Sequence, residues 1–201
     1  MGGYKNIMIK RWYFLLMISL IIVVLLTGCF GVPLPENLSE RSKSAKPNDE
    51  EVEKAQQELK SIETQELPPI QEEVRQLHII MNNLTGWGQL DKYSDENGSG
   101  WDTVASYLAG EENIVDRVYD IIAKIDSETL KQDLEAFVLA FSKAYEEKDV
   151  DLLIWAHRIV HDLDYWVFNY ETVSGGSRNY WGATITLEGD NAFAKTVLQL
   201  K

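Results

Sequence analysis

Apolar residues recur at steps of three and four along most of the chain beyond about residue 50, which is the spacing of one face of an α-helix. The first such stripe covers residues 52–62 and the second covers residues 70–84. Pro68 and Pro69 separate them, and proline suits the first turn of a helix. Gly86 follows the second stripe and favours a stop there. The pattern therefore predicts two helices in this part of the chain.

Three further stripes follow, over residues 114–125, 130–145 and 152–170. Asp126 and Ser127 lie between the first and second stripes and are residue types that cap a new helix. The breaks between stripes are short, which favours antiparallel packing of neighbouring helices. The third stripe is apolar nearly all round, so its helix is expected to be buried between others.

The remaining segments are less regular. Residues 85–100 are rich in Gly, Asp and Asn and predict a long loop, followed by a short helix over residues 101–108. In the tail, "SGGS" at residues 174–177 predicts a turn or linker, "ATITL" at residues 183–187 a brief extended piece, and residues 191–200 a last helix. The fold class is therefore all-α: an antiparallel helical bundle of about five to six helices over residues 50–201.

The first residues predict a targeting signal and not a part of the folded domain. Lys5, Lys10 and Arg11 precede an apolar run of about 15 residues, short of the roughly 20 that span a membrane. The run closes with "LTGC" at residues 26–29, which resembles the lipobox of bacterial lipoproteins. That resemblance implies a signal peptide over residues 1–28 and a diacylglyceryl group on Cys29 after cleavage. An uncleaved anchor and a plain secretory signal are the alternatives.

Residues 29–49 mix three prolines with Ser, Asn and alternating charge, and predict a flexible, disordered tether. The chain is therefore expected to have three parts: the signal, the lipidated cysteine with its tether, and the helical domain. The resemblance places the domain on the outer, extracytoplasmic face of a bacterial cell membrane. Phe30 after the cysteine carries no sign of inner-membrane retention, which favours an envelope of the Gram-positive type.

Charge and cysteine content exclude several classes of function. The net charge is −13, so the domain should repel nucleic acid and anionic headgroups, and nucleic-acid binding is excluded. Cys29 is the single cysteine, so no internal disulfide can form and, once Cys29 is acylated, no thiol nucleophile remains. No Walker, nucleophile-elbow or dinucleotide glycine motif is present.

One helix carries candidate chemistry, in "WAHRIVHDLDYW" at residues 155–166. His157, His161 and Asp164 stand at i, i+4 and i+7 and fall on one side of the predicted helix. Two imidazoles and a carboxylate at this spacing could share a divalent transition metal. The alternatives are a solvated polar face or a satisfied internal network. A metalloprotease is excluded because no Glu follows the first histidine.

Aromatic residues on the loops offer a second candidate site. Such side chains either stack on a ligand or cover the end of a core. The candidates are Trp87, Tyr93, Trp101, Tyr180 and Trp181. Two functions follow from the sequence: a non-enzymatic, membrane-tethered module that binds an envelope protein, a wall polymer or a small ligand without a cofactor, or a metal-binding lipoprotein that uses the His157 face.

Overall fold

A computed structural model describes residues 46–111, 113–171, 178–188 and 193–201. In these ranges the chain forms helices, turns and irregular segments, and no strand. The seven α-helices are α1 (Asp49–Leu59), α2 (Leu67–Thr85), α3 (Ser99–Ala109), α4 (Ile114–Ile122), α5 (Glu128–Glu147), α6 (Val150–Asp162) and α7 (Phe193–Leu198). A 3-10 turn spans Leu90–Tyr93 and a π-helical turn spans Leu163–Phe168.

The all-α prediction is confirmed, and the described residues form seven α-helices where about five to six were expected. Even the short helices α4 and α7, with nine and six residues, lie within the segments 114–125 and 191–200 that predicted helices. No helix in the described ranges is both long and apolar enough to cross a membrane. The predicted signal, Cys29, most of the tether and the "SGGS" segment lie outside the described residues.

Polar side chains fix where several helices begin. Asn48 and Glu51 form a capping box at the start of α1, each side chain bonding to the other residue's backbone N–H. The Ser127 hydroxyl accepts a hydrogen bond from the Leu130 N–H at 3.2 Å, which confirms the cap predicted before α5. Asp149 caps α6 in the same way, through the N–H groups of Asp151 and Leu152.

The end of α2 is set by Gly86, as predicted. A Cβ atom at this position would lie 2.3 Å from the carbonyl oxygen of Asn82, a distance that no side chain tolerates. Glycine alone lets the chain leave the helix here while the Gly86 N–H still donates to that carbonyl at 2.8 Å. The next residue, Trp87, is consequently carried out into solvent and is fully exposed.

Helix α6 packs against other helices on several sides. It packs most extensively on α5 and also contacts α2 and α7. Its buried apolar side chains include Trp155, which stacks on Phe193 of α7 with ring centroids 4.7 Å apart. Burial on several sides confirms the expectation from the third stripe, and it means that polar residues on α6 need partners inside the protein.

The chain changes its winding after α6. The N–H of Asn169 donates to the carbonyl of Asp164, five residues back, at 2.9 Å, which is the hydrogen bond of a π-helix. This turn contacts both α1 and α2.

The tail segment over residues 178–188 is irregular, where a brief extended piece was expected. Residues 185–188 form a turn closed by the Glu188 N–H donating to the Ile185 carbonyl at 2.9 Å. The segment is held by carboxylates instead of by a neighbouring strand. Asp133 of α5 accepts from the N–H groups of Ile185 and Thr186 at 2.7 and 3.0 Å.

Candidate functional site

All three histidines of the chain come together between α2 and α6. The ring centroid of His78 lies 5.5 Å from that of His157 and 5.0 Å from that of His161. The centroids of His157 and His161 are 6.3 Å apart. Sequence spacing brings the last two together, whereas His78 arrives from a different helix and was not among the predicted site residues.

His78 is anchored by a carboxylate. Its Nδ1 lies 2.6 Å from Oδ2 of Asp164, and both side chains are almost fully buried. The other Asp164 oxygen accepts a hydrogen bond from Asn169 Nδ2 at 2.7 Å. Asp164 therefore has both oxygens engaged inside the protein, and it orients an imidazole rather than facing the same space as His157 and His161.

His157 is anchored by a hydroxyl. Its Nδ1 lies 2.7 Å from Oγ1 of Thr85, and that hydroxyl donates its only proton to the Met81 carbonyl at 2.9 Å. Thr85 must then accept from His157, which places the imidazole proton on Nδ1. Burial, followed by the repulsion that a protonated His78 would exert, lowers the pKa of His157 to about 3, so the His157 ring is neutral at pH 7.

His161 has a carboxylate next to it in sequence. Its Nδ1 lies 3.1 Å from Oδ1 of Asp162, a fully buried side chain. Asp162 also accepts from the backbone N–H groups of Trp181 and Ala183, at 3.1 and 2.9 Å. Burial raises the pKa of Asp162 to about 7, against the lowering effect of these backbone hydrogen bonds.

Two Nε2 atoms are the chemically open ends of this cluster. Those of His78 and His157 are buried and have no hydrogen-bond partner. Because Nδ1 of each of these two rings faces an oxygen acceptor, Nε2 carries the lone pair when the ring is neutral. Buried polar atoms without partners are rare in proteins, and two on adjacent rings mark a place where something else can bind.

The rings line a cleft of about 740 Å³, within the range of small-molecule sites. We call it the histidine cleft. It is lined by residues of α2, of the loop that follows α2, of α6, of the π-helical turn and of the tail, among them His78, Thr85, Trp87, His157, Arg158, His161, Tyr165, Asn179 and Trp181.

The aromatic and cationic side chains give the cleft its walls. Tyr165 lies against two of the imidazoles, with ring centroids 4.9 Å from His78 and 4.6 Å from His161. The guanidinium carbon of Arg158 lies 4.5 Å from the centre of the Trp181 ring, a cation–π contact. The tail therefore closes one side of the cleft, with its backbone held by Asp162.

The structure places the five predicted aromatic residues in two different environments. Trp87 and Trp181 line the histidine cleft. Tyr93, Trp101 and Tyr180 are buried and present no binding surface. Tyr93 and Trp101 pack edge to face at 4.9 Å where the 3-10 turn meets α3, and the Tyr180 hydroxyl donates to the Leu187 carbonyl at 3.1 Å. These three stabilise the core and the tail.

The predicted metal set of His157, His161 and Asp164 does not form one group, because the Asp164 carboxylate hydrogen-bonds to His78. Across the described ranges, no three or more His, Cys, Asp or Glu side chains already stand where they could hold one metal ion. The three histidines lie close together, but their side chains do not surround one common metal position.

The fold and the cleft define a helical domain that buries three imidazoles beside a small-molecule-sized opening. No family model matches the chain, and comparisons with curated proteins and with solved structures find no match either.

Proposed function

We propose that this chain is a bacterial lipoprotein, tethered through a lipid on Cys29 to the extracytoplasmic face of a cell membrane of the Gram-positive type, and that its helical domain binds a small ligand without catalysing a reaction. The observation that carries the binding function is the histidine cleft, in which Nε2 of His78 and Nε2 of His157 are buried without partners. The lipobox resemblance of residues 26–29 supports the tether.

A small ligand is favoured over a wall polymer or a protein by the shape of the site. The open polar atoms lie inside a cleft, whereas macromolecular partners are held mainly by broad surfaces. Trp87 stands at the cleft with its side chain fully exposed, so it can fold over a bound molecule at no expense to the core.

Lipidation of Cys29 is tested by feeding cells a labelled fatty acid. The wild-type chain is expected to carry the label and to sediment with membranes, because a diacylglyceryl group holds a protein there stably. The Cys29→Ser chain is expected to lose the label. Equal labelling of the two chains would contradict the tether, and Ser39→Ala serves as a control for changes near the N-terminus.

Binding in the cleft is tested by thermal unfolding of the full chain against defined probes: zinc, nickel and cobalt chlorides, inorganic phosphate, N-acetylglucosamine and the common amino acids. At least one probe is expected to raise the Tm, since a ligand that binds the folded state stabilises it. The shift should shrink in Trp87→Ala, whose own stability should change by less than about 0.5 kcal/mol because the side chain is exposed.

Tyr119→Ala supplies the matched control, because Tyr119 is also an exposed aromatic but does not line the histidine cleft. It should keep the full Tm shift. A panel in which no probe raises the Tm of the wild-type chain would overturn the binding function.

A further inference from the structure

We propose that His78, His157 and His161 bind one divalent transition-metal ion through their Nε2 atoms, while Asp164, Thr85 and Asp162 hold the three Nδ1 atoms. This inference rests on the proposed binding function and names its ligand. It replaces Asp164 in the metal set suggested by the sequence with His78, a residue from another helix.

Hydrogen bonds at Nδ1 fix the orientation of the three rings. Each of the three rings has an oxygen acceptor beside Nδ1, at 2.6 Å for His78, 2.7 Å for His157 and 3.1 Å for His161. Metal-binding histidines characteristically donate their second ring nitrogen to a carboxylate, hydroxyl or carbonyl, which fixes the ring and leaves the other lone pair for the metal. Three acceptors on three rings reproduce that arrangement.

Two of the ring nitrogens are buried without a hydrogen-bond partner. His78 is only 3% exposed, and its Nε2 has no hydrogen-bond partner. Nε2 of His157, whose ring centre lies 5.5 Å away, is also buried without a hydrogen-bond partner. Two lone pairs on neighbouring buried rings lack a donor, and a metal cation is a group that can accept electron density from both at once.

The distances between the ring centres are close to those expected around one metal ion. Three imidazoles around one ion at about 2.0 Å have ring centres about 5 Å apart. His78 meets this spacing with both partners, at 5.0 and 5.5 Å, while the centres of His157 and His161 are 6.3 Å apart. Closing that last pair by about 1 Å would complete the site. His157 can supply the movement, because its ring is held by a hydroxyl and is not fully buried.

The donor set selects the metal. Neutral imidazoles favour zinc, copper, nickel and cobalt, whereas magnesium and calcium prefer oxygen ligands. Three protein ligands leave a position open toward the cleft, where water or a further ligand could bind.

Cobalt titration of the full chain tests this site. The chain contains only three histidines, so it must be purified with a tag free of histidine. Excess magnesium is included because the chain's net charge of −13 attracts cations without specificity. We expect one Co²⁺ per chain, a visible absorption band typical of four-coordinate cobalt, and loss of the band when zinc is added.

Variants separate the ligands from their supports. His161→Gln and His157→Gln should abolish the band, and Asp164→Asn should weaken cobalt binding by about 10–100-fold, the usual effect of losing a supporting carboxylate. Asp133→Asn changes a buried carboxylate elsewhere in the domain and should keep the band. An unchanged band in both histidine variants, or no band in the wild-type chain, would overturn the metal site.

Nitrogen NMR of the unmodified chain gives an answer that does not depend on how variants fold. The Nε2 resonances of all three histidines should move on addition of zinc while their Nδ1 resonances stay protonated. Unmoved resonances would overturn the metal site. If they stay unmoved while phosphate or N-acetylglucosamine still raises the Tm in a Trp87-dependent way, the metal inference fails and the binding function stands; if no probe has any effect, both fail.

Discussion

Replacing Asp133 with alanine is expected to lower the free energy of unfolding by about 3 kcal/mol at pH 7. The side chain is fully buried and accepts the N–H groups of Ile185 and Thr186 at 2.7 and 3.0 Å. Alanine would leave both N–H groups buried without an acceptor, and each such group costs about 1–3 kcal/mol. Urea unfolding followed by circular dichroism measures the change.

Glu135→Ala is the matched control on the same helix. Glu135 is partly exposed and pairs with Lys201 at 2.7 Å, and pairs of this kind contribute about 0–1 kcal/mol. A loss of less than about 1 kcal/mol in Asp133→Ala would show that the two backbone N–H groups find other acceptors. The tail would then be held by its apolar contacts.

The second large effect concerns pH. Burial raises the pKa of Asp133 from 3.8 to about 7, in spite of its backbone hydrogen bonds, so between these values the folded chain holds a proton that the unfolded chain has released. Stability must therefore fall as pH rises through this window. One such group changes the free energy of unfolding by about 1.4 kcal/mol per pH unit, or about 4 kcal/mol in all.

Asp133→Asn isolates this contribution because asparagine does not titrate. The difference in unfolding free energy, wild type minus Asp133→Asn, should decrease steadily from about pH 4 to about pH 7 and become constant above that range. Asp162 shares the raised pKa but is present in both chains, so its effect largely cancels. A difference that does not vary with pH would mean that Asp133 is ionised throughout.

Much of the fold could be predicted from the sequence, because helices with one buried face impose a visible period on the chain. The stripe over residues 130–145 predicted α5, and Ser127 predicted its start. Gly86 marked the end of α2 for a reason that the structure makes concrete, the carbonyl of Asn82 lying where a Cβ would be. The short helix α3 spans Ser99–Ala109, close to the predicted 101–108, whereas the 3-10 turn at Leu90–Tyr93 contains too few residues to show a period and fell inside a predicted loop.

The site was predicted only in part. Local spacing brought His157 and His161 together, but nothing local links them to His78, which lies about 80 residues earlier. A signal was present all the same: His78 stands four residues after Val74 and three before Met81, inside the buried stripe of α2. A polar residue on a buried stripe requires a partner, and the same applies to Asp133 between Leu130 and Phe137.

The partners of Asp164 were missed for a different reason. Helical spacing predicts which side of the helix Asp164 lies on, but not that its two oxygens are engaged by His78 and Asn169. A π-helical turn depends on tertiary contacts, here with α1 and α2, and has no sequence period of its own. Neither the π-helical turn nor the contact between Asp164 and His78 could therefore be predicted from local spacing.

The irregular tail also determines at which stage of synthesis the histidine cleft is complete. Residues 178–188 are synthesised after all three histidines, yet they supply the Trp181 wall of the cleft and the N–H groups that occupy Asp162 beside His161. A nascent chain that ends after α6 therefore holds the imidazoles without the Trp181 wall. The histidine cleft is consequently completed late in synthesis, and a chain cut before residue 178 would carry the histidines but not the complete cleft.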